Sequence, residues 1–213
     1  MSGLARRVVL ATNNAHKLAE LRRIITGTAP DIEVLGLADL PGYPEPAETG
    51  RTFADNALLK ARACLAATGL PALADDSGIE VEVLNGMPGV RSARWAGPQA
   101  SDADNNALLL RQLFDVPTDQ RTARFVCAMA AVLPNGAEHV RLGIMSGRLT
   151  EAPVGENGFG YDPLFVADGQ TVTNAQLDPA AKDAISHRGQ AIRAMAPVLA
   201  AELRRLEPVG KEG

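Results

Sequence analysis

The pattern of apolar and polar positions near the N-terminus predicts a strand, a polar turn and a helix. Val8 to Ala11 form a short continuous apolar run, which is typical of a buried strand. After the turn Thr12-Asn13-Asn14, apolar residues return at positions 18, 21, 24 and 25, which is the spacing of one helical face. The polar turn therefore lies where a strand passes into a helix.

Two further helices are predicted by capping boxes, in which a Ser or Thr is followed three residues later by a side chain that returns the hydrogen bond. The pairs are Thr52 with Asp55 and Ser101 with Asp104. The first helix should end at Gly69, with Asn56 and Lys60 sharing one side of it. The second should continue through Leu109 and Phe114.

The remaining pattern predicts strands and one long helix. Ile79 to Val83 alternate apolar and acidic residues, as in a half-exposed strand. Apolar runs at 125–133 and 140–145 flank "PNGA", which is a hairpin signal. The last helical pattern ends at Leu206, and Pro197 is expected to kink or divide it. Because helices and strands interleave with a hairpin among them, we predict an α/β fold around a mixed sheet.

Composition narrows the class of protein. The 213 residues, 46% hydrophobic and 22% charged, fit one domain, and the formal charge of -4 gives no general reason to bind nucleic acid or an anionic membrane. Cys64 and Cys127 lie in apolar patterns, which favours buried thiols in a reducing compartment. The sequence contains no apolar run of membrane-spanning length and no secretory signal. We therefore expect a cytoplasmic protein.

Several common catalytic motifs are missing from the sequence. The first strand-to-helix turn has no glycine, so the dinucleotide fingerprint is absent, and no GxxxxGK[ST] motif occurs. The three histidines form no close pair, which disfavours a zinc site, and Ser77 lacks the GxSxG context of a hydrolase nucleophile. Among the kinds of chemistry considered, catalysis with a metal ion bound by oxygen ligands remains.

The adjacent carboxylates Asp75 and Asp76 follow the apolar run Leu70 to Ala74. Successive strand residues point to opposite faces, so the two should have different tasks, one facing a cleft and one bracing a neighbour. The alternative is a turn, since Asp-Ser-Gly is good turn chemistry. A buried carboxylate needs a cation or hydrogen bonds, and Mg²⁺ takes one or two carboxylates together with substrate phosphates and water.

Four other segments have a functional and a structural interpretation. The turn Thr12 to Lys17 is a candidate anion site at a helix start, or plain helix capping. In the exposed loop "LPGYPEPAETG", Glu48 is a second candidate metal ligand, or a solvated acid. "GFGYDP" suits a platform for a planar base, or a loop whose rings fill the core. "KDAISHRGQA" concentrates cations, or is a helix start capped by Ser186.

Six segments in order resemble the XTP/dITP diphosphatase family, also called inosine triphosphate pyrophosphatases. They are "LATNNAHKLAEL", "ETGRTFADNALLKA", "ADDSG", "GMPGVRSARW", "GFGYDPLF" and "KDAISHRGQA", which span about Val8 to Ala191. The resemblance implies a single domain, residues 1–213, with an elongated two-lobed fold and a nucleotide cleft between the lobes. It also implies a Mg²⁺-dependent homodimeric hydrolase that converts ITP, dITP and XTP to the monophosphate and pyrophosphate and keeps deaminated purines out of DNA and RNA.

The resemblance also assigns site residues. Asp76 matches the proton acceptor and metal ligand, and Ser77 matches a substrate contact. Glu48 is the candidate second metal ligand, although Ala47 stands where many relatives have a first glutamate. The substrate-binding residues implied are Thr12, Asn13, Asn14, Ala15, His16, Lys17, Lys60, Phe159, Gly160, Tyr161, Asp162, Lys182, His187 and Arg188.

Two alternatives are kept open. One is a pyrophosphatase for modified pyrimidine triphosphates, as in the fold-related Maf-type proteins, whose Ser-x-Ser-x-x-Arg turn "TNNAHK" does not match. The other is a nucleotide sensor without catalysis, against which the presence of both Asp76 and Lys17 argues.

Overall fold

The computed structural model describes residues 6–40 and 43–206 and has an α/β fold. Its strands are β1 (Arg6–Leu10), β2 (Ile32–Leu35), β3 (Ala72–Val81), β4 (Thr122–Val132), β5 (Glu138–Leu149) and β6 (Phe165–Ala167). Its α-helices are α1 (Ala15–Thr28), α2 (Phe53–Thr68), α3 (Asp102–Gln112), α4 (Pro179–Ile185) and α5 (His187–Leu206). Short 3₁₀ turns lie between them, including Gly89–Arg94 and Asp162–Leu164.

The six strands form one mixed sheet in the order β2-β1-β3-β4-β5-β6. β1 is parallel to both β2 and β3, whereas β5 and β6 are antiparallel. The neighbouring strands β4 and β5 are joined by a turn in which the N–H of Leu133 donates to the carbonyl of Ala137 at 3.0 Å. The predicted α/β fold with a mixed sheet and a hairpin is therefore confirmed.

The chain divides into two compact units. Unit 1 comprises 1–76, 128–142 and 191–213, and unit 2 comprises 77–127 and 143–190. In unit 1 the core includes the fully buried Val8 and Val9 of β1 and Ala57, Ala61 and Cys64 of α2. In unit 2 a separate apolar cluster joins β3, α3 and β4–β6, and its largest members include Ile79, Leu109, Phe125, Leu149 and Phe165. The single domain with a cleft between lobes stays a prediction.

Local signals at the helix ends were reliable. Both predicted capping boxes are present: the hydroxyls of Thr52 and Ser101 accept from the N–H groups of Asp55 and Asp104. α2 stops at Gly69, which has the left-handed conformation expected of a helix terminator. Ser186 also caps as predicted, because its Oγ accepts from the N–H of Gly189 in the first turn of α5.

The structure departs from the sequence pattern at three places. β3 runs without a break through Asp75-Asp76-Ser77-Gly78, where a turn was one interpretation, and it ends at Val81. α3 ends at Gln112, and the ring of Phe114 is 82% exposed. Pro197 does not divide the last helix, since α5 continues to Leu206.

The predictions for the cysteines and the exposed loop can also be assessed. Cys64 and Cys127 are both buried, as expected, and they are not joined by a disulfide bond. In the predicted loop Leu40 to Gly50, Pro41 and Gly42 lie outside the described residues. From Tyr43 onward the loop has no regular secondary structure. No helix in the described parts of the chain is long and apolar enough to cross a membrane.

Arg121 holds the end of α3 in unit 2. Its side chain is 5% exposed, and its guanidinium donates to the carbonyls of Leu113 at 2.9 Å, Val116 at 2.9 Å and Thr150 at 3.1 Å. These carbonyls follow α3 and β5, where no regular element supplies a donor. One buried side chain therefore donates to three loop carbonyls, of which that of Leu113 also accepts from the N–H of Val116 at 3.0 Å.

Replacing this donor should destabilise the fold. We expect Arg121→Met to lower the free energy of unfolding by about 3 kcal/mol, because the carbonyls of Leu113, Val116 and Thr150 each lose a charged donor while the apolar volume is kept. Urea denaturation measures this. The control is Arg124→Met, which breaks a more exposed pair with Glu80 at 2.7 Å and should cost less than about 1 kcal/mol. Equal losses in the two variants would contradict the assigned role of Arg121.

Candidate active site

A cluster of charged side chains in unit 1 surrounds the middle of β3. Asp75 and Asp76 are only 2% and 6% exposed. The ammonium of Lys17, in the first turn of α1, lies 2.9 Å from Asp75 Oδ2. The ammonium of Lys60, on α2, lies 3.0 Å from Glu48 Oε1 and 3.8 Å from Asp76 Oδ1. We call these five residues the Asp76 cluster.

The two aspartates have different partners, as their alternation along the strand predicted. Asp75 is held by Lys17, so it braces the first helix. Asp76 accepts a hydrogen bond from the side-chain amide of Asn56 at 2.9 Å and lies near Lys60. The two carboxylates therefore do not act as a symmetric pair.

Asn56 is a contact that the sequence pattern did not identify. It is fully buried; its Nδ2 donates to Asp76, and its Oδ1 accepts from the N–H of Gly50 at 2.7 Å. The only signal in the sequence was its spacing of four residues before Lys60. Asn56 thus ties the segment that carries Glu48 to the strand that carries Asp76.

The electrostatics of the Asp76 cluster show an excess of negative charge. Three carboxylates (Glu48, Asp75 and Asp76) share two ammonium groups (Lys17 and Lys60). Burial raises the pKa of Asp76, although Lys60 and Asn56 oppose this. Burial disfavours the charge of Lys60, but the carboxylates outweigh it and raise its pKa. Burial therefore favours the protonated form of Asp76, while the neighbouring carboxylates favour the protonated form of Lys60.

This charge balance fits a divalent cation. In the described part of the chain, no group of three or more His, Cys, Asp or Glu side chains is arranged as a complete metal site. Asp76 and Glu48 supply carboxylate oxygens around one cation, the ammonium of Lys60. Mg²⁺ typically takes one or two carboxylates and completes its shell with phosphate and water. The donor set therefore fits Mg²⁺ bound together with a phosphorylated ligand.

The polar turn before α1 has a capping role as well. Asn14 Oδ1 accepts from the N–H of Lys17 at 3.2 Å, and Thr12 Oγ1 accepts from the N–H of Asn14 at 3.2 Å. Asn13 Nδ2 donates to Glu45 at 2.8 Å, which ties the turn to the segment before Glu48. Ala15 and His16 begin α1. The capping interpretation is thus confirmed for Asn14, and Lys17 is brought to the Asp76 cluster.

A second group of predicted site residues lies in unit 2, around the loop Phe159 to Asp162. The ring of Phe159 has the ammonium of Lys182 at 5.0 Å and the guanidinium carbon of Arg188 at 5.4 Å from its centroid. Arg188 also donates to Ser77 Oγ at 2.9 Å, although 111 residues separate the two in sequence. These residues, predicted separately, are therefore neighbours.

Asp162 organises the same loop from beneath. Its carboxylate is 2% exposed and accepts from the N–H of Phe159 at 2.9 Å, from Asn174 at 3.2 Å and from the ammonium of Lys182. The Tyr161 side chain lies in the core, as the structural interpretation had it, and donates to the carbonyl of Ser92 at 2.8 Å. Burial, with a smaller contribution from the charge of Asp102, raises the pKa of Tyr161, so its hydroxyl stays a donor.

His187 and Arg188 are presented by the start of α5. Both are buried, with exposed fractions of 5% and 3%. The imidazole of His187 stacks on the ring of Phe125, with centroids 4.8 Å apart and planes 12° from parallel. This stacking fixes the plane of a ring whose nitrogens can donate or accept hydrogen bonds.

Comparisons with known proteins agree over nearly the whole chain. The family model described as the Ham1 family matches residues 8–198. A protein named dITP/XTP pyrophosphatase from Cutibacterium acnes is 56% identical and aligns over 92% of this chain and 98% of its own. A protein of the same name from Nocardia farcinica is 59% identical, over 94% and 98%. The solved structure of a HAM1 protein from Coxiella burnetii superposes with a TM-score of 0.83 at 41% identity, over 92% and 98%.

Asn56 offers a test of the Asp76 cluster that does not depend on activity. Asn56→Ala should lower the free energy of unfolding by about 2 kcal/mol, because a buried carboxylate and a backbone N–H each lose a partner. Chemical denaturation at neutral pH measures this. The control is Arg62→Ala on the same helix, which removes only an exposed pair with Glu138. A loss for Asn56→Ala no larger than for the control would show that Asn56 does not hold the cluster together.

Proposed function

The chain belongs to the Ham1 family, and from this premise we propose that it is a nucleoside triphosphate pyrophosphohydrolase that cleaves ITP, dITP and XTP to the monophosphate and pyrophosphate. The observation that carries the proposal is the Asp76 cluster, in which the two buried aspartates and the partly exposed Glu48 share two lysine ammonium groups. Such a cluster suits a triphosphate with a bound metal ion. It does not suit a nucleobase without phosphates. The substrate names carried by the relatives support the choice of purine.

In this proposal Asp76 and Glu48 hold Mg²⁺ together with the phosphates of the substrate. When bound, the metal ion would neutralise charge that develops on the phosphate oxygens. Lys17 and Lys60 are fixed cations, because Asp75 and Glu48 hold their ammonium groups at 2.9 and 3.0 Å. Two pre-positioned cations stabilise a pentavalent phosphorus without reorganising during the reaction.

The reaction itself is attack of water on the α-phosphorus. The bond from the water oxygen to phosphorus forms as the bond to the bridging oxygen of pyrophosphate breaks. Asp76 orients the water, and Asn56, through its hydrogen bond of 2.9 Å, keeps the carboxylate in one orientation. The water proton passes to a carboxylate or to solvent. Pyrophosphate leaves as an anion whose charge Lys17 and Lys60 stabilise.

Base recognition is assigned to the second group of residues. Phe159 supplies an aromatic face for a planar base, while His187 and Arg188 supply fixed donors. Inosine and xanthine have an acceptor oxygen at C6, where adenine has an amino group. A donor that pairs with the oxo group faces the amino group of adenine without a hydrogen bond, which disfavours ATP.

Two alternatives are less well supported. A pyrophosphatase for modified pyrimidine triphosphates is disfavoured by the names of the matching relatives. A sensor without catalysis would not need the buried Asp76 beside Lys60.

The homodimer and the cytoplasmic location remain part of the proposal. The family resemblance supports the homodimer, and the buried thiols support the cytoplasmic location. Sedimentation of the purified chain tests the dimer.

A substrate panel tests the proposed activity. We expect pyrophosphate release from ITP, dITP and XTP in the presence of Mg²⁺, with much slower release from GTP and ATP, and loss of activity when EDTA removes the metal. Asp76→Asn should reduce kcat by about 1000-fold or more, because the carboxylate that binds the metal and orients the water is lost. Near-normal turnover by Asp76→Asn, or equal turnover of all five nucleotides, would overturn the proposal.

Base reading is tested separately. His187→Ala and Arg188→Ala should each reduce the ratio of kcat/KM for ITP to that for ATP by about tenfold, because a donor to the 6-oxo group is removed. Arg204→Ala, at the exposed far end of the same helix, is the control and should leave the ratio unchanged. An unchanged ratio in both test variants would exclude these side chains as readers of the base.

A further inference from the structure

Helix α3 holds both backbone groups of Gly160. Asp102 Oδ2 accepts from the N–H of Gly160 at 2.6 Å, and Asn106 Nδ2 donates to the Gly160 carbonyl at 3.0 Å. Positions 102 and 106 are four residues apart, so the two side chains lie on the same side of the helix. One helical turn therefore fixes the two peptide planes that flank Gly160.

Gly160 needs such support because its backbone is unusually free. Its φ is +61°, a conformation that glycine adopts readily, and a Cβ added there would meet no atom within 4 Å. Steric contact at the Cβ position of Gly160 therefore does not determine this conformation. The two side chains of α3 hold the N–H and carbonyl of Gly160 directly, and the N–H of Asp162 donates to the carbonyl of Phe159 across it at 3.3 Å.

The orientation of the Phe159 ring depends on those peptide planes. Phe159 directly precedes Gly160, and its ring lies against the cations of Lys182 and Arg188. On the other side Tyr161 is anchored by its hydroxyl to the carbonyl of Ser92. A rotation of the Gly160 peptides would therefore move the Phe159 ring relative to Arg188 while leaving Tyr161 in the core.

Helix α3 is itself firmly attached to unit 2. Asn105 accepts from the N–H of Ala96 at 2.8 Å and donates to the carbonyl of Ala93 at 3.3 Å. The same segment meets β3, where Ser92 Oγ accepts from the N–H of Ile79 at 2.9 Å. A Cβ on Gly78 would come within 2.3 Å of Ser92 Oγ, so the contact is close. The support for Gly160 is thus continuous with the strand that carries Ser77.

Stability alone does not account for Asn106. Its side chain is 8% exposed, and its Oδ1 has no hydrogen-bond partner among the described residues. A buried acceptor without a partner costs stability, which an apolar residue would avoid. The contribution of Asn106 is therefore its donor to Gly160.

We propose that Asp102 and Asn106 are positioning residues that set base selectivity by fixing Gly160 and, through it, the Phe159 ring. This inference rests on the proposed function. The residues touch neither phosphate nor base in this assignment; they act through the loop. Their loss should therefore weaken recognition of the base and leave recognition of the phosphates unchanged.

The test compares selectivity with binding of a ligand that has no base. Asp102→Ala and Asn106→Ala should each lower kcat/KM for ITP by about tenfold to 100-fold, chiefly through KM, and reduce the ITP-to-ATP ratio. The inhibition constant of inorganic pyrophosphate should not change. Asp102→Asn keeps an acceptor oxygen for the N–H of Gly160 and should retain most of the selectivity.

Asp104→Ala is the matched control, because Asp104 closes the capping box of the same helix, whereas the side chains that bind Gly160 are those of Asp102 and Asn106. It should lower the melting temperature of the protein and leave selectivity unchanged. If wild type does not cleave ITP, the proposed function fails. If wild type is active and the test variants keep the wild-type ratio, or lose activity on ITP and ATP equally, the positioning role is wrong.

Discussion

The burial of two adjacent carboxylates in the middle of a strand is the constraint on which unit 1 depends. Asp75 and Asp76 are almost inaccessible to solvent, and a buried charge must be neutralised or hydrogen-bonded. α1 supplies Lys17 and α2 supplies Asn56 and Lys60, while Glu48 from the loop before α2 pairs with Lys60. Three separate parts of the chain are thereby arranged around one strand. The charge compensation within the Asp76 cluster is incomplete, since its three carboxylates share two lysines.

The incomplete compensation connects stability with chemistry. A fully neutral cluster would stabilise the fold and have no need of a cation, whereas an acidic excess stores an unfavourable interaction that a divalent ion relieves. The lysines that neutralise the carboxylates are also the groups suited to phosphate. The same contacts that allow the folded chain to bury Asp76 therefore fix the positions of the Lys17 and Lys60 ammonium groups.

Unit 2 solves a different problem, because its loop must keep an aromatic ring in place on a backbone that glycine leaves free. Buried polar contacts provide the solution: Asp162 beneath Phe159, the Tyr161 hydroxyl on Ser92, and α3 on Gly160. Arg188 extends this arrangement to Ser77, the residue that follows Asp76 in the chain. In both the Asp76 cluster and the loop, buried carboxylates are held by a lysine and by hydrogen bonds, but in the loop Asp162 and Asp102 also accept from backbone N–H groups.

The sequence by itself determined the helix starts at Thr52 and Ser101, the hairpin, the mixed α/β class and the different tasks of Asp75 and Asp76, because caps, turns and the two-residue period of a strand are local. It did not determine that β3 continues through Asp-Asp-Ser-Gly, that Phe114 is exposed, or that Asn56, Asp102 and Asn106 act as partners. The tertiary structure decided these, because burial and hydrogen bonding between distant segments depend on which elements pack together. A side chain four residues from a lysine or a cap looks the same in sequence whether it faces solvent or a site.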